Sequence, residues 1–422
     1  MKSEKNIVRG LIGLISLIGL IGCSADSGSD SDFKEGQGKA PQEVIIPGVA
    51  SYVAGYEATD GANRANRAIK ESSGYVAYGD GLQPIGIAFT RNGEDPAIGT
   101  GTAESPKSMI GNFFYSSGKW RTDLQDIQAG DYYLYGYIPY LPAITYSITD
   151  RDGANANYRT GAIMTLTNVP TVMPNDLCVV IGAKQGFDKE HDGNLVDNNG
   201  NHVFDAGDTR TDTLRMGDFK YTAKATSGGE EAKGNYVFLL FDHLYSAIRV
   251  NMKVHADYAR LRTIKLDTLK LSTQVGGANS KDHNTITIKL KATDVINKNE
   301  KSITDIVYTP TGAENKNGME FWKSENATGT TLTTEFQPFI GHFMPSGITT
   351  IVLTSVYDVY DTKGKLIREN CKATNTMELQ ELLTEQTVTK RGYRYTVNMT
   401  IQPTYLYMLS EPDLDNPTVV FN

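Results

Sequence analysis

The sequence predicts an all-β protein made of two β-sandwich domains, and three observations carry that expectation. The first is residues 236–254, YVFLLFDHLYSAIRVNMKV: an apolar run from Val237 to Phe241, then strict alternation, with Ile248, Val250, Met252 and Val254 on one face and Arg249, Asn251 and Lys253 on the other. A period of two marks a strand, and a first half without a polar face calls for cover on both sides, as in a central strand between packed layers. The second is composition: 41 Gly and 23 Tyr, in short alternating runs between turn residues, favour sandwiches over helical bundles. The third is length, since 422 residues exceed what one ordinary core holds.

Charge and residue types exclude several classes. A net charge of −8 offers no general attraction to nucleic acid or to an anionic membrane. Histidines stand at 191, 202, 243, 255, 283 and 342, with no pair at metal-site spacing, and read as isolated surface or capping residues. The chain carries no nucleophile elbow, metalloprotease helix or phosphate loop, so no enzyme activity is expected.

The N-terminus reads as a targeting device. Lys2, Lys5 and Arg9 precede an aliphatic run, residues 11–21, that is short for a membrane span and ends in Leu20-Ile21-Gly22-Cys23. This resembles a bacterial lipobox, so residues 1–22 are expected to be a lipoprotein signal peptide and Cys23 the acylated residue that holds the protein to a membrane. Residues 23–41, with Asp26, Asp30 and Asp32 among Ser and Gly, read as a disordered acidic tether, similar to export signals that send lipoproteins to the outer face of the outer membrane. The remaining cysteines, Cys178 and Cys371, are open to two readings, one disulfide or two buried thiols.

Two sandwich domains are expected at 42–257 and 258–422. Residues 43–57, EVIIPGVASYVAGYE, suit an edge strand kinked at Pro47-Gly48. A small polar loop follows, with Arg64 and Arg67, where a protease could hold the chain extended or where there is only a solvated loop. Residues 130–140, GDYYLYGYIPY, form a strand with Tyr133, Tyr135 and Tyr137 on one face; such a row is either a sugar-stacking platform or a strand covered on both sides. The loop 187–218 holds the one candidate metal site: Asp197, Asn199, Asn201 and Asp208 fall at positions 1, 3, 5 and 12 of a calcium loop, but His202 stands where the turn wants Gly, and a metal-free hairpin insertion is the better reading. No cofactor is otherwise expected.

In the second half, Ile264 and Leu266, then Leu269 and Leu271, alternate with a phase slip that predicts a bulge. Ile286, Ile288 and Leu290 alternate without interruption, 349–360 is a long strand, and 377–383 is the one short helical candidate. Tyr393, Tyr395, Val397, Met399 and Ile401 define the most regular strand. The tail beyond Pro403 has extended pieces at 405–409 and 418–421 and suits joining a sheet edge, on its own domain or on a neighbouring molecule.

The lipobox at Cys23, Tyr137-Ile138-Pro139-Tyr140, the strand Phe241-Asp242-His243-Leu244-Tyr245-Ser246-Ala247-Ile248-Arg249-Val250 and Lys390-Arg391-Gly392-Tyr393-Arg394-Tyr395 together resemble the fimbrillin family, lipoprotein pilus subunits of Bacteroides-type bacteria (type V pili). The resemblance implies two tandem transthyretin-like β-sandwich domains and export to the outer membrane. It also implies removal of the first strand by an arginine-specific protease, after which a strand of another subunit fills the groove. Residues 43–57 then match the removable strand, Arg64 or Arg67 the cleavage position, and the segment from Tyr405 onward the donor. The implied partners are other pilin subunits, the protease, the outer membrane and host or bacterial surface ligands. The alternative from another class is a monomeric surface glycan-binding lipoprotein using the tyrosines of 130–140.

Overall fold

Alternating apolar side chains draw the chain into strands wherever the computed structural model describes it, at residues 46, 48–54, 56–59, 69–70, 75–91, 108–124, 127, 130–151, 161–186, 219–221, 236–291, 303–379, 388–405 and 412–421. Residues 1–41 and 42–422 form separate units, and everything described lies in the second. The protein is all-β; the strands are relieved by a short helix, Ala256–Ala259, whose N-cap is His255.

Four sheets pack in two pairs. The first pair sets a nine-stranded sheet against a four-stranded one. The larger sheet runs Tyr75–Ala77, Val49–Ala54, Tyr236–His243, Cys178–Gly186, Gly130–Ile138, Ile85–Arg91, Ser108–Ser116, Lys119–Thr122, with Phe219–Tyr221 beside Gly130–Ile138. The smaller runs Ile303–Glu314, Lys281–Lys291, Gly161–Pro170, Thr145–Asp150. Tyr135, Tyr137, Val179, Phe238 and Leu240 face Met164, Leu166, Ile286, Ile288 and Leu290 across this core. The other face of the large sheet gathers a further cluster, Ile87, Phe89, Leu134, Val180, Leu239 and Phe241 among them. Each such side chain contributes about 1.5–3 kcal/mol by leaving water.

The second pair sets Gln337–Phe343, Ser246–Val254 and Tyr393–Tyr405 against Arg262–Val275, Thr350–Asp361 and Leu366–Glu378. Ile248, Val250, Met252, Val397, Met399 and Ile401 meet Ile264, Leu266, Leu269, Leu271, Ile351 and Leu353. The phase slip near Leu266 is a bulge, where the register with Thr350–Asp361 shifts between Leu266 and Thr268.

The two cores draw on interleaved stretches of chain. Ser246–Val254 precedes Asp257 yet lies in the second core, while the hairpin Lys281–Lys291 and Ile303–Glu314 follows it and closes the first. The apolar run of 236–254 is accordingly two strands. Tyr236–His243 is covered on both faces, and Ser246–Val254 alternates between buried and half-exposed residues.

One expectation is corrected, and one left open is decided. Met377 and Glu378 finish the strand Leu366–Glu378, paired to Ile351 and Thr350, because ladder hydrogen bonds and burial of Met377 override helical spacing; Leu379 is helical and 380–383 lie outside the described residues. The tail strand Pro412–Phe421 is docked on its own chain, antiparallel to Tyr393–Tyr405, with Val419 buried in the second core. Tyr405 ends the preceding strand, and 406–411 lie outside the described residues.

Candidate functional site

The opening segment is an element shared by the two cores. Val49–Ala54 lies parallel to Tyr236–His243, in register from Val49 opposite Val237 to Val53 opposite Phe241, and its outer edge carries Tyr75–Ala77. Val49 and Val53 are buried. Three residues later the chain has crossed to the second core, where Glu57–Thr59 runs parallel to Tyr393–Tyr405, from Glu57 opposite Tyr393 to Thr59 opposite Tyr395. The same edge of Tyr393–Tyr405 is taken further along by the tail, from Met399 opposite Phe421. The opening segment and the tail strand thus cover one strand edge in succession.

Tyr56 stands at the crossing, and beneath it is a buried polar cluster. The Tyr56 ring stacks on His243, centroids 4.0 Å apart and planes 23° apart, with the His342 ring 6.2 Å away. His243 Nδ1 donates to Asp176 Oδ2 at 2.6 Å, and Cys178 Sγ is 3.7 Å from the same nitrogen. His342 Nδ1 donates to the carbonyl of Pro174 at 2.9 Å, and the Tyr78 hydroxyl donates to the Asp176 carbonyl at 2.5 Å. The Tyr56 hydroxyl faces the Asp176 carboxylate; neither it nor Asp176 Oδ1 has a hydrogen bond of full geometry among the described residues.

Local chain geometry builds the cluster. The turn at Pro174 and Asn175 delivers Asp176 just before Cys178–Gly186. His243 ends the apolar strand, where the backbone steps from one core to the other. That step is clamped: Leu244 N–H donates to Leu177 O at 2.8 Å, Tyr308 Oη to Leu244 O at 2.8 Å, and Gly392 N–H to Tyr245 O at 2.8 Å. Arg391 donates to Asp242 Oδ2 at 2.8 Å and to the His243 carbonyl at 2.9 Å. A charged guanidinium with two acceptors is a strong tie at a half-exposed position.

Electrostatics follow from burial and pairing. Burial alone would raise the Asp176 carboxyl, but His243 foremost, with His342 and the Tyr56 hydroxyl, together outweigh it and hold the acid below its ordinary range. Burial lowers His342, so its neutral form is favoured. Burial and then the Asp176 charge raise the Tyr56 phenol and the Cys178 thiol, which leaves both protonated. The donor atoms of Asp176, Cys178 and His243 lie within 4.8 Å of one another. Two donors of one tetrahedral zinc would stand roughly 3.3 Å apart, whereas Asp176 and His243 meet at 2.6 Å in a hydrogen bond. The cluster is a hydrogen-bonded anchor.

The sequence-derived candidates fare unequally. Cys23, Arg64, Arg67, Asp197, Asn199, Asn201 and Asp208 lie outside the described residues. Of the tyrosine row, Tyr135 and Tyr137 are fully buried in the first core and Tyr133 is half-buried against it, while Tyr132 is buried in the cluster behind, because apolar side chains gather on both faces of Gly130–Ile138. Tyr135 and Tyr137 are therefore not available to stack on a sugar, while Tyr133 and Tyr140 are half-buried. Cys178 and Cys371 are free thiols in different clusters. The histidine reading is corrected at two positions, since His243 and His342 are 1% and 7% exposed, whereas His255 is a cap as expected. Tyr56 and Asp176 were missed. The available signal was His243 placed directly after a run with no polar face, where a histidine needs a buried partner.

Among solved structures, the chain is similar to a Bacteroides uniformis protein assigned to cell adhesion, 12% identical over 87% of this chain and 96% of that one, TM-score 0.32. It is also similar to a Bacteroides vulgatus fimbrial protein, 15% identical over 80% and 91%, TM-score 0.29. A fimbrial anchor protein of Porphyromonas gingivalis is 11% identical over 88% and 95%, TM-score 0.23. All three are adhesion or fimbrial proteins. No protein-family model matches the chain, and no curated protein matches it. At these TM-scores the likeness assigns no role to any residue of the site.

Proposed function

We propose that the protein is a subunit or adhesin of a fimbrillin-type surface fimbria, anchored as an outer-membrane lipoprotein through Cys23 and assembled by strand exchange. The observation that carries this reading is the placement of the opening segment. It is a single stretch whose removal would bare the backbone edge of Tyr236–His243 and the first part of the edge of Tyr393–Tyr405, and would take Val49 and Val53 from a packed cluster. A groove of unpaired backbone groups lined by Val237, Leu239 and Phe241 is a template for an incoming strand. An arginine-specific protease cutting after Arg64 or Arg67 would free the segment, and a strand of another subunit would replace it.

The test is limited digestion of protein beginning after Cys23 with an arginine-specific protease, followed by mass spectrometry and a non-boiled gel. One cut after Arg64 or Arg67 with a ladder of multimers is the expected result. A cut that leaves an unchanging monomer, or resistance at both arginines, would refute exchange.

A further inference from the structure

We propose that the slot held by the opening segment is keyed by a tyrosine socket, so that a strand of another chain taking the segment's direction and register must carry a tyrosine in the Tyr56 position. This rests on the strand-exchange reading above and specifies what that exchange requires of its partner.

The need for a key comes from the pairing itself. The segment is held by five register pairs in the first core and three in the second. A ladder that short tolerates a two-residue slip, because a slip of two keeps every side chain on its own face. Something other than alternation must therefore fix the register. Tyr56 does so: a slip of two residues would carry its ring about 6.6 Å along the slot, off the His243 face that it now covers at 4.0 Å. Water would then reach the Asp176–His243 pair, and the stacking would be lost.

The socket is also selective for chemistry. One wall is the His243 ring, which favours a flat aromatic group. The floor is the buried Asp176 carboxylate, which faces the Tyr56 hydroxyl and whose Oδ1 has no hydrogen bond of full geometry among the described residues. Phenylalanine would stack but would leave that carboxylate oxygen against hydrocarbon, and an aliphatic residue would do neither. At the far end of the slot, Val237 N–H donates to Gly48 O at 3.0 Å, and a Cβ on residue 48 would run into the Tyr236 ring. The fitting strand is therefore a small residue followed at once by an apolar one, a second apolar residue four positions on, and a tyrosine three beyond that, as Gly48, Val49, Val53 and Tyr56 stand here.

Fluorescent peptides test this without altering the folded chain. Protein cut by the arginine-specific protease is mixed with labelled peptides covering residues 43–59, and exchange is followed by fluorescence anisotropy. The native peptide is expected to bind, Tyr56→Phe several-fold more weakly, and Tyr56→Leu at least about tenfold more weakly. A peptide with Gly55→Tyr and Tyr56→Gly, which moves the ring by one position, should bind no better than Tyr56→Leu. If Tyr56→Leu or the shifted peptide binds within about twofold of the native one, the socket is refuted while exchange stands. If the native peptide fails to bind the cut protein, the exchange reading itself is wrong, and the socket falls with it.

Discussion

At the scale of residues, the polar cluster under Tyr56 couples the junction to pH. His342 is held neutral by burial, below the ordinary histidine value of 6.5, so the unfolded chain binds a proton that the folded chain refuses. Its stabilising contribution is present above pH ~6.5 and is lost as pH falls through the lower folded value, with a slope of at most about 1.4 kcal/mol per pH unit. Asp176 is also depressed, below 3.8, so its share is lost only in stronger acid. Thermal unfolding should therefore occur at a lower temperature at pH 5.5 than at pH 7.5, and His342→Gln should flatten the difference. Equal slopes for both proteins would show that His342 is not the responsible group.

Among elements, the hairpin Lys281–Lys291 and Ile303–Glu314 shows how far an alternating strand can lie from the core that it completes. Ile286, Ile288 and Leu290 point from it against Phe238, Leu240 and Tyr137. Tyr308 ties it to Leu244 at the junction. Ile288 is fully buried, so Ile288→Ala should cost about 2–5 kcal/mol in a denaturant titration. The strand lies beyond Asp257, yet the loss should fall on the first core. Loss of near-ultraviolet signal confined to Trp322, which packs against the second core, with Trp120 on the far face of the large sheet unaffected, would contradict that placement.

For the whole molecule, interleaving means that neither sandwich is a continuous length of chain. A fragment of residues 42–257 lacks the hairpin and carries Ser246–Val254 without the sheet it packs on. It should unfold without a cooperative transition and bind a hydrophobic dye, as a chain with exposed core surface does. A sharp unfolding transition in that fragment would mean that the first core is complete without residues 281–314. The same interleaving explains why one segment, 48–59, can reach both cores: the chain steps between them at His243 to Ser246, and the segment follows alongside.

Much of this was legible in the sequence, for a physical reason: the side-chain period of a strand is a local property. The double-sided cover of Tyr236–His243, the alternation of Ser246–Val254 and Tyr393–Ile401, and the bulge after Leu266 all follow from which neighbours are apolar. Alternation states that a face is buried but not what buries it. Hence the hairpin's allegiance to the first core, the docking of the tail on its own sheet and the burial of Tyr135 and Tyr137 on a doubly covered strand were decided by tertiary packing alone. The anchor of Tyr56, Asp176, His243 and His342 belongs to the same class. Its members come from four separate stretches of chain, and a hydrogen bond or a ring stack between residues so distant leaves no periodic trace in the sequence.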